Sequence, residues 1–439
     1  MGGMGAWTIG AHYPDRFAAV LAMSSRSDFY MWKEIAPESI AGFKRKLAEQ
    51  EFGANLLCNY LHVPAFLIHG NADFGIPVEQ SRTMYARLKE RGMDAQYVEL
   101  DGEGHFWFYR ETEARPDLVE WLKTRKRVSA PRLITYRTYT LKYNRAYWAE
   151  ILAIDDWGKA AEITCEISED GAALDVKTEN VQCLRLAPPK GLVKDAAALK
   201  VKWNGAEVAA QPDKEGRLTL GSLGAGAALL KTRELCGSVR EGFAGPFLMV
   251  HGGEATESRA LALKVATDWV VFAKGVPQVV PAEAVNEAAA KRYNLFLLGT
   301  PEENPITRRI MPRLPIQVRD GSIEVGGRKY DAKKYGLWMI YPNPEAPDRY
   351  VVINCGAHWG RGVPENHKYD MLPDFIVYAD QKADDKTESD AHVCAGFFDQ
   401  NWRLDERSTW YAEPPLPAGA GEGEKKPADR TTPPEGEHE

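Results

Sequence analysis

The stretch Phe66-Leu-Ile-His-Gly-Asn-Ala-Asp73-Phe-Gly-Ile-Pro-Val78 decides the fold of the first part of this chain. The apolar run before His69 predicts a strand buried on both faces, and Pro77 suits the first position of a following helix. Asp73 then lies just past the carboxyl end of the strand, where open α/β sheets place their chemistry. A second strand is predicted at Ala95 to Leu100, so the alternation predicts a parallel sheet with helices on both faces.

A histidine follows the second of these strands, in Gly102-Glu-Gly-His105. Loops after parallel strands meet at one edge of the sheet, so we expect Asp73 and His105 to lie together as the acid and base of a catalytic triad. In a triad the base removes the proton of the nucleophile, while the buried acid fixes the imidazole tautomer and stabilises the imidazolium. A nucleophile is also required, and in this fold it precedes the acid and the base along the chain.

The chain opens Met1-Gly2-Gly3-Met4-Gly5, which is similar to a nucleophile elbow, Gly-x-Ser-x-Gly, entered one residue too late. The next predicted strand, Phe17 to Met23, is followed by Ser24, Ser25 and Ser27. These serines are candidate substitutes for the missing nucleophile. They lack the flanking glycines that let backbone pack around a strained elbow, so we interpret them as polar loop residues.

These signals resemble the α/β-hydrolase domain of the prolyl oligopeptidase family and its dienelactone hydrolase-like relatives, over about residues 1–127. The resemblance rests on Met-Gly-Gly at 1–3, His-Gly-x-x-Asp-x-x-Ile-Pro at 69–77 and Gly-x-Gly-His at 102–105, in that order. It implies that Asp73 is the triad acid, that His105 is the triad base, and that Met1, Gly2 and Gly3 form the elbow and one side of the oxyanion hole. The family's serine would directly precede Met1.

The missing serine changes the expected function. We expect the C-terminal part of a serine hydrolase, truncated just after its nucleophile, inactive as given, with its true start upstream. The elbow's next residue normally supplies an oxyanion N–H, but here that residue is Met1, whose nitrogen would be a terminal ammonium. Losing one such donor costs about 2.7–4 kcal/mol in the barrier.

Three functions stay open from the sequence. The first is a peptidase or esterase of the prolyl oligopeptidase family that acts on a peptide or ester through a Ser-Asp-His triad. The second is a non-catalytic remnant that binds a polymer or a partner. The third is a carboxylic-ester hydrolase with the same triad and a different cleft.

Length and composition limit the number of domains and the kinds of binding partner to be expected. The 439 residues are 44% hydrophobic and 27% charged, which is typical of two or three globular domains. The net charge of −7 gives no reason to expect nucleic-acid binding. No membrane span is predicted, because the best apolar run, Ala260 to Ala273, is interrupted by Lys264 and Asp268. Six cysteines without Cys-x-x-Cys spacing indicate neither a zinc site nor a disulfide scaffold, and no cofactor is expected.

The predicted fold class is α/β: a partial α/β-hydrolase sheet, a β-sandwich-like module and a second small α/β domain. We place these at residues 1–127, 128–235 and 236–410, with a disordered tail at 411–439 that is rich in Pro, Gly, Glu and Lys. The middle module alternates at period two and has hairpin turns at Asp170-Gly171 and Asn204-Gly205. The last two modules resemble the C-terminal extension of some exported prolyl-oligopeptidase-like hydrolases, which implies a periplasmic or secreted full-length form. The oligomeric state stays open.

Several residues carry two interpretations. His69 is predicted to be a structural histidine that hydrogen-bonds locally at the end of its strand. Phe106, Trp107 and Phe108 either line a substrate cleft or pack in the core. Trp148, Trp157 and Trp203 are the tryptophans able to stack on sugar rings, although tryptophan in a small sandwich is more often core. His251-Gly252-Gly253 mimics an oxyanion loop, but no elbow follows it.

Overall fold

The computed structural model describes residues 1–107, 115–224, 229–361, 363–364, 367–380 and 392–412. Phe108 and the predicted tail from residue 413 onward lie outside the described residues. Three regions follow one another along the chain, and each contains its own sheet or pair of sheets.

The first region contains a three-stranded parallel sheet in the order β1-β2-β3. The strands are β1 (Val20–Met23), β2 (Ala65–Gly70) and β3 (Ala95–Leu100). The helices are α1 (Gly2–His12), α2 (Phe29–Lys33), α3 (Gly42–Glu49), α4 (Glu79–Glu90) and α5 (Pro116–Lys123). Strand β2 is the central strand and is buried along its whole length, as its continuous apolar run predicts.

Apolar side chains of β2 alternate between two separate cores, one on each face of the sheet. Leu67 packs with residues of α1 and α4, including Trp7 and Met84. Phe66 and Ile68 pack with Trp107 and with residues of α5. Helices therefore cover both faces, which confirms the predicted α/β class for this region.

Some predicted boundaries in this region are wrong. The short helix α2 was not predicted. Asp28 starts α2 by accepting the backbone N–H groups of Tyr30 and Met31, so a side-chain cap, rather than an apolar stripe, defines this helix. Strand β1 begins at Val20 instead of Phe17, and Phe17 is 38% exposed.

The second region consists of two sheets, in the orders β11-β10-β8-β7-β4 and β12-β9-β6-β5. Asn204-Gly205 forms the turn between β10 and β11 with positive φ at both residues, as a two-residue hairpin requires. The arrangement of the two sheets as a sandwich stays a prediction. The strands are β4 (Leu133–Thr138), β5 (Arg145–Ala146), β6 (Ala149–Ile154), β7 (Ala161–Ile167), β8 (Ala173–Glu179), β9 (Val181–Leu186), β10 (Lys200–Trp203), β11 (Ala206–Val208) and β12 (Leu218–Gly221).

The third region is built on an eight-stranded mixed sheet in the order β14-β13-β15-β20-β19-β21-β22-β23. Its first four members pair in parallel and the rest pair antiparallel. The strands are β13 (Phe247–His251), β14 (Val279–Pro281), β15 (Asn294–Leu298), β19 (Tyr335–Asn343), β20 (Ala346–Gly356), β21 (Phe375–Ala379), β22 (His392–Phe398) and β23 (Leu404–Tyr411), and the helices are α6 (Glu257–Ala273), α7 (Glu287–Arg292) and α8 (Pro305–Ile310).

A separate antiparallel sheet consists of β16 (Gln317–Arg319), β17 (Ser322–Val325) and β18 (Arg328–Asp331), and Gly326-Gly327 forms the turn between the last two strands. The segment His251-Gly252-Gly253, which resembles an oxyanion loop, follows β13. The Gly252 N–H group is not available to an oxyanion, because it donates to the Ser258 hydroxyl oxygen at 2.9 Å.

One hydrophobic cluster runs through the second and third regions and also includes Phe43 and Leu47 of α3. Helix α3 approaches β23 closely, since a Cβ atom on Gly42 would lie 2.4 Å from the Trp410 indole nitrogen. The first region is therefore packed against the third. The domain boundaries at residues 127, 235 and 410 stay a prediction.

Candidate active site

Asp73 lies on the loop after β2, and its carboxylate is fully buried. Its Oδ1 atom accepts the backbone N–H groups of Gly75 and Ile76, both at 2.9 Å, so the loop folds around the carboxylate. Burial by itself would raise the pKa of Asp73. The bonds from Ile76, His105 and Gly75 outweigh burial and hold that pKa below its usual value. Asp73 is therefore ionised at neutral pH.

His105 binds the other oxygen of this carboxylate. Its Nδ1 atom lies 2.7 Å from Asp73 Oδ2, which requires Nδ1 to carry the proton because the carboxylate can only accept. The imidazole is 25% exposed, and the Phe106 ring meets it edge-on at 5.1 Å between centroids. In the part of the chain that the structure describes, the Nε2 atom has no hydrogen-bond partner. This orientation leaves Nε2 available as a base.

A close approach of two loops brings the pair together. A Cβ atom on Gly70 would lie 2.2 Å from the carbonyl oxygen of Glu103, so no larger residue fits at the end of β2 without a shift. That carbonyl accepts the Ala72 N–H at 2.9 Å, and Asn71 Oδ1 accepts the Gly102 N–H at 2.8 Å. The glycines of both motifs thus position the chemistry-bearing residues.

His69 is fully buried on the other side of Asp73. Its Nδ1 atom lies 2.8 Å from the Ser81 hydroxyl, and its Nε2 atom lies 3.1 Å from the Ile76 carbonyl oxygen. Burial lowers the pKa of His69, despite the opposing effects of the Ile76 carbonyl and of Asp73. The local hydrogen bonds agree with the predicted structural role. The sequence interpretation missed that Nε2 also lies 3.3 Å from Asp73 Oδ2.

The residues predicted to form the elbow lie at the carboxyl end of β1. A Cβ atom on Gly3 would lie 2.4 Å from the Met23 carbonyl oxygen and 2.6 Å from Ser25 Cβ, which explains a glycine at this position. Gly2 has open space around it, and Met1 is 97% exposed. These three residues make no hydrogen bond to Asp73 or His105 within the described ranges. Their role in an elbow and an oxyanion hole stays a prediction.

The three serines considered as substitute nucleophiles are buried, and each hydroxyl group forms a hydrogen bond. Ser24 Oγ accepts the Trp107 indole N–H at 3.1 Å, and Ser27 Oγ donates to the Gln80 carbonyl at 2.7 Å. Ser25 Oγ donates to the Arg26 carbonyl at 3.1 Å. These contacts agree with polar loop residues and reveal a link between the histidine loop and β1 that the sequence did not suggest.

The aromatic residues considered for a substrate cleft or for sugar stacking differ in how deeply they are buried. Trp107 is a core residue, and Phe106 is 60% exposed beside His105. Trp148 and Trp157 are buried, so neither presents a face for a sugar ring, whereas Trp203 is half-buried and donates to Thr178 Oγ1 at 2.9 Å. The described residues contain no group of three or more metal-ligating side chains placed to hold an ion. They also include no helix long and apolar enough to cross a bilayer.

A curated protein is similar to this chain along most of its length. An uncharacterized secreted protein of Arthroderma benhamiae is 22% identical over 456 aligned positions, which cover 92% of this chain and 46% of the relative. The chain thus spans about half the length of that curated relative.

Two solved structures each match 28% of this chain. A thermostable esterase is 21% identical, with a TM-score of 0.22 and 28% of each chain covered. An S-formylglutathione hydrolase from Agrobacterium tumefaciens is 19% identical, with a TM-score of 0.22, and the match covers 28% of this chain and 46% of that one. These likenesses bear on neither substrate nor activity. The model of the prolyl oligopeptidase family matches residues 1–124, so this part of the chain is similar to that family.

Proposed function

We propose that Asp73 and His105 are the acid and base of a serine hydrolase of the prolyl oligopeptidase family, acting on a peptide or an ester. The observation that carries the proposal is the 2.7 Å contact between His105 Nδ1 and Asp73 Oδ2, with Nε2 left unpartnered among the described residues. This is the tautomer that a triad base needs, because Nε2 must accept the proton of the nucleophile.

The nucleophile in this proposal is a serine at the amino end of α1, directly before Met1. Gly3 holds this end of the helix against the carboxyl end of β1, which is the edge of the sheet that also carries Asp73 and His105. His105 Nε2 would take the serine proton, and the ionised Asp73 would stabilise the resulting imidazolium. In a longer chain the Met1 nitrogen would be a peptide N–H, suited to donate to the oxyanion.

The chain of 439 residues holds the acid and the base but no serine in an elbow, so we propose that it is inactive as given. The buried Trp148 and Trp157 do not favour the alternative of a glycan-binding remnant. Because the relative in Arthroderma benhamiae is described as secreted, we also propose export for the longer form.

The test compares this chain with a form extended by the in-frame sequence upstream of Met1. A fluorophosphonate probe should label only the extended form, on the serine before Met1, and His105→Gln should suppress the labelling. Ser24→Ala serves as the matched control and should leave labelling unchanged. Labelling of the 439-residue chain, or an upstream sequence without Gly-x-Ser, would contradict the proposal. Hydrolysis of p-nitrophenyl esters and of peptide p-nitroanilides then separates esterase from peptidase.

A further inference from the structure

A polar cavity of about 110 Å³ lies where α3 meets the second and third regions, and it is distinct from the Asp73–His105 pair. We call it the junction cavity. The residues that matter for its chemistry are Lys46, Thr140, Trp157, Cys236, Asp374 and Phe397. They come from sequence positions up to 351 residues apart, so only the assembled chain contains the site.

Lys46 presents a buried ammonium to this cavity. Its side chain extends from α3 and donates to the Trp157 carbonyl oxygen, and its nitrogen lies 3.7 Å from the centroid of the Phe397 ring. The residue is 4% exposed. Within the described part of the chain it forms no salt bridge, which is unusual for a buried cation.

A second buried lysine already uses the nearby carboxylate. Lys231 Nζ donates to Asp374 Oδ2 at 2.6 Å, and both side chains are almost completely buried. The Phe398 N–H donates to the same oxygen at 3.0 Å. The other oxygen, Oδ1, is buried without a hydrogen-bond partner. The cluster therefore combines two ammonium groups with one carboxylate, one oxygen of which remains unsatisfied.

Charges at the mouth of the cavity do not correct this imbalance, because they are paired with one another. Lys142 Nζ lies 2.6 Å from Glu241 Oε1, and Arg240 Nη1 lies 3.5 Å from Glu51 Oε1. Burial, and the neighbouring Lys231 after it, lower the pKa of Lys46 to about 7 against the opposing effect of Asp374. An anion on Lys46 would supply the missing counter-charge.

We propose that the junction cavity binds a small hydroxycarboxylate, with its carboxylate on Lys46 and its hydroxyl donating to Asp374 Oδ1. One unbalanced positive charge matches a monoanion, whereas a dianion would bring an excess negative charge close to Asp374. The hydroxyl satisfies the carboxylate oxygen that the protein leaves without a donor. The cavity volume limits the ligand to a few heavy atoms.

Isothermal titration calorimetry of the 439-residue chain tests this with glycolate, acetate and inorganic phosphate. Glycolate should bind about tenfold more tightly than acetate, which has the same charge but lacks the hydroxyl. Lys46→Met should abolish glycolate binding. Methionine fills a similar volume and removes a buried charge, so this variant should melt no lower than the native chain. Lys89→Met is the matched control, because Lys89 is an exposed lysine of α4 that does not line the cavity, and this variant should leave binding unchanged.

Three outcomes would overturn the proposal. The first is the absence of glycolate binding to the native chain, which would leave a cavity that holds water only. The second is glycolate binding retained in a folded Lys46→Met variant. The third is phosphate or acetate binding as tight as that of glycolate, since the site would then recognise charge without the hydroxyl.

Discussion

Two aspartate–histidine pairs among the described residues look alike but differ in which imidazole nitrogen contacts the carboxylate. In the first region, Asp73 binds Nδ1 of His105 from a loop after a parallel strand, at 2.7 Å. In the third region, Asp268 binds Nε2 of His358 from within helix α6, at 3.2 Å. Among the described residues the first pair leaves Nε2 of its histidine without a hydrogen-bond partner, whereas the second occupies Nε2 itself.

The neighbours of the two aspartates also differ. Asp73 is held by backbone N–H groups, which fix the carboxylate without neutralising it. Asp268 also binds Lys368 Nζ at 2.8 Å, so its charge is already compensated by a cation. Burial would raise the pKa of Asp268, but the bonds from His358 and Lys368 lower it. We infer that the second pair joins α6 to the loop after β20 and that only the first is arranged for proton transfer.

The largest expected difference between the pairs is in activity. In the extended form, His105→Gln should lower kcat by about 10⁴-fold, because glutamine cannot accept the serine proton. His358→Gln should change kcat by less than about twofold. Steady-state kinetics on an activated ester measures both, with circular dichroism to verify folding. Comparable losses in the two variants would show that the pairs are not distinguished in this way.

A third histidine, His12, has no carboxylate partner within the described part of the chain, and it should make stability depend on pH. His12 is buried at the end of α1 and stacks on the Tyr143 ring at 3.8 Å between centroids. Burial lowers its pKa from 6.5 to about 4. Between these pH values the unfolded chain binds more protons, so stability is complete above pH 6.5 and is lost as the pH falls towards 4.

The expected loss from His12 is about 3 kcal/mol. His12→Phe keeps a ring against Tyr143 and removes the titration, so the variant should lose less stability than the native chain on acidification. Urea unfolding at neutral pH and near pH 4 measures the difference. An identical pH dependence in the two proteins would mean that His12 is protonated as readily when folded as when unfolded.

A smaller effect is expected from removing the cation of the second pair. Lys368→Met leaves Asp268 with His358 alone in a partly buried site, and we expect a destabilisation of about 2 kcal/mol without loss of activity. The control is Lys291→Met, which removes an exposed partner of Glu287 on α7 and should cost less than about 0.5 kcal/mol. If both variants lose the same stability, then Asp268 is screened by solvent as fully as a surface carboxylate.

The sequence allowed prediction of those features that depend on local pattern. The apolar run before His69 predicted β2, and the glycines at 70 and 104 belong to motifs that predicted where Asp73 and His105 would meet. The pairing itself appears in the structure, while the proton-transfer roles stay a prediction. Boundaries were less accurate where a side-chain cap or a close approach, rather than periodicity, set the end of an element, as at Asp28 and Gly3.

The junction cavity and the second pair could not be predicted in the same way. Lys46, Lys231 and Asp374 are far apart in sequence, and each alone resembles an exposed charge. In the sequence, Asp268 was informative only because it interrupts an apolar run and so argues against a membrane span. The burial of Lys46 depends on how the first region packs against the third, and no local sequence pattern encodes that packing. For the same reason, a continuous core across the second and third regions was not evident from their composition.

The smallest expected effect concerns His69, the second histidine on Asp73. Ser81→Ala removes the hydroxyl that binds His69 Nδ1 and should cost about 1 kcal/mol in the free energy of unfolding. His69 Nε2 would still contact the Ile76 carbonyl, so Asp73 should remain in place and kcat of the extended form should fall by less than about tenfold. Chemical denaturation and steady-state kinetics separate these effects. A loss of kcat as large as that of His105→Gln would place His69 in the proton-transfer path, and Asp73 would then serve two titrating imidazoles instead of one.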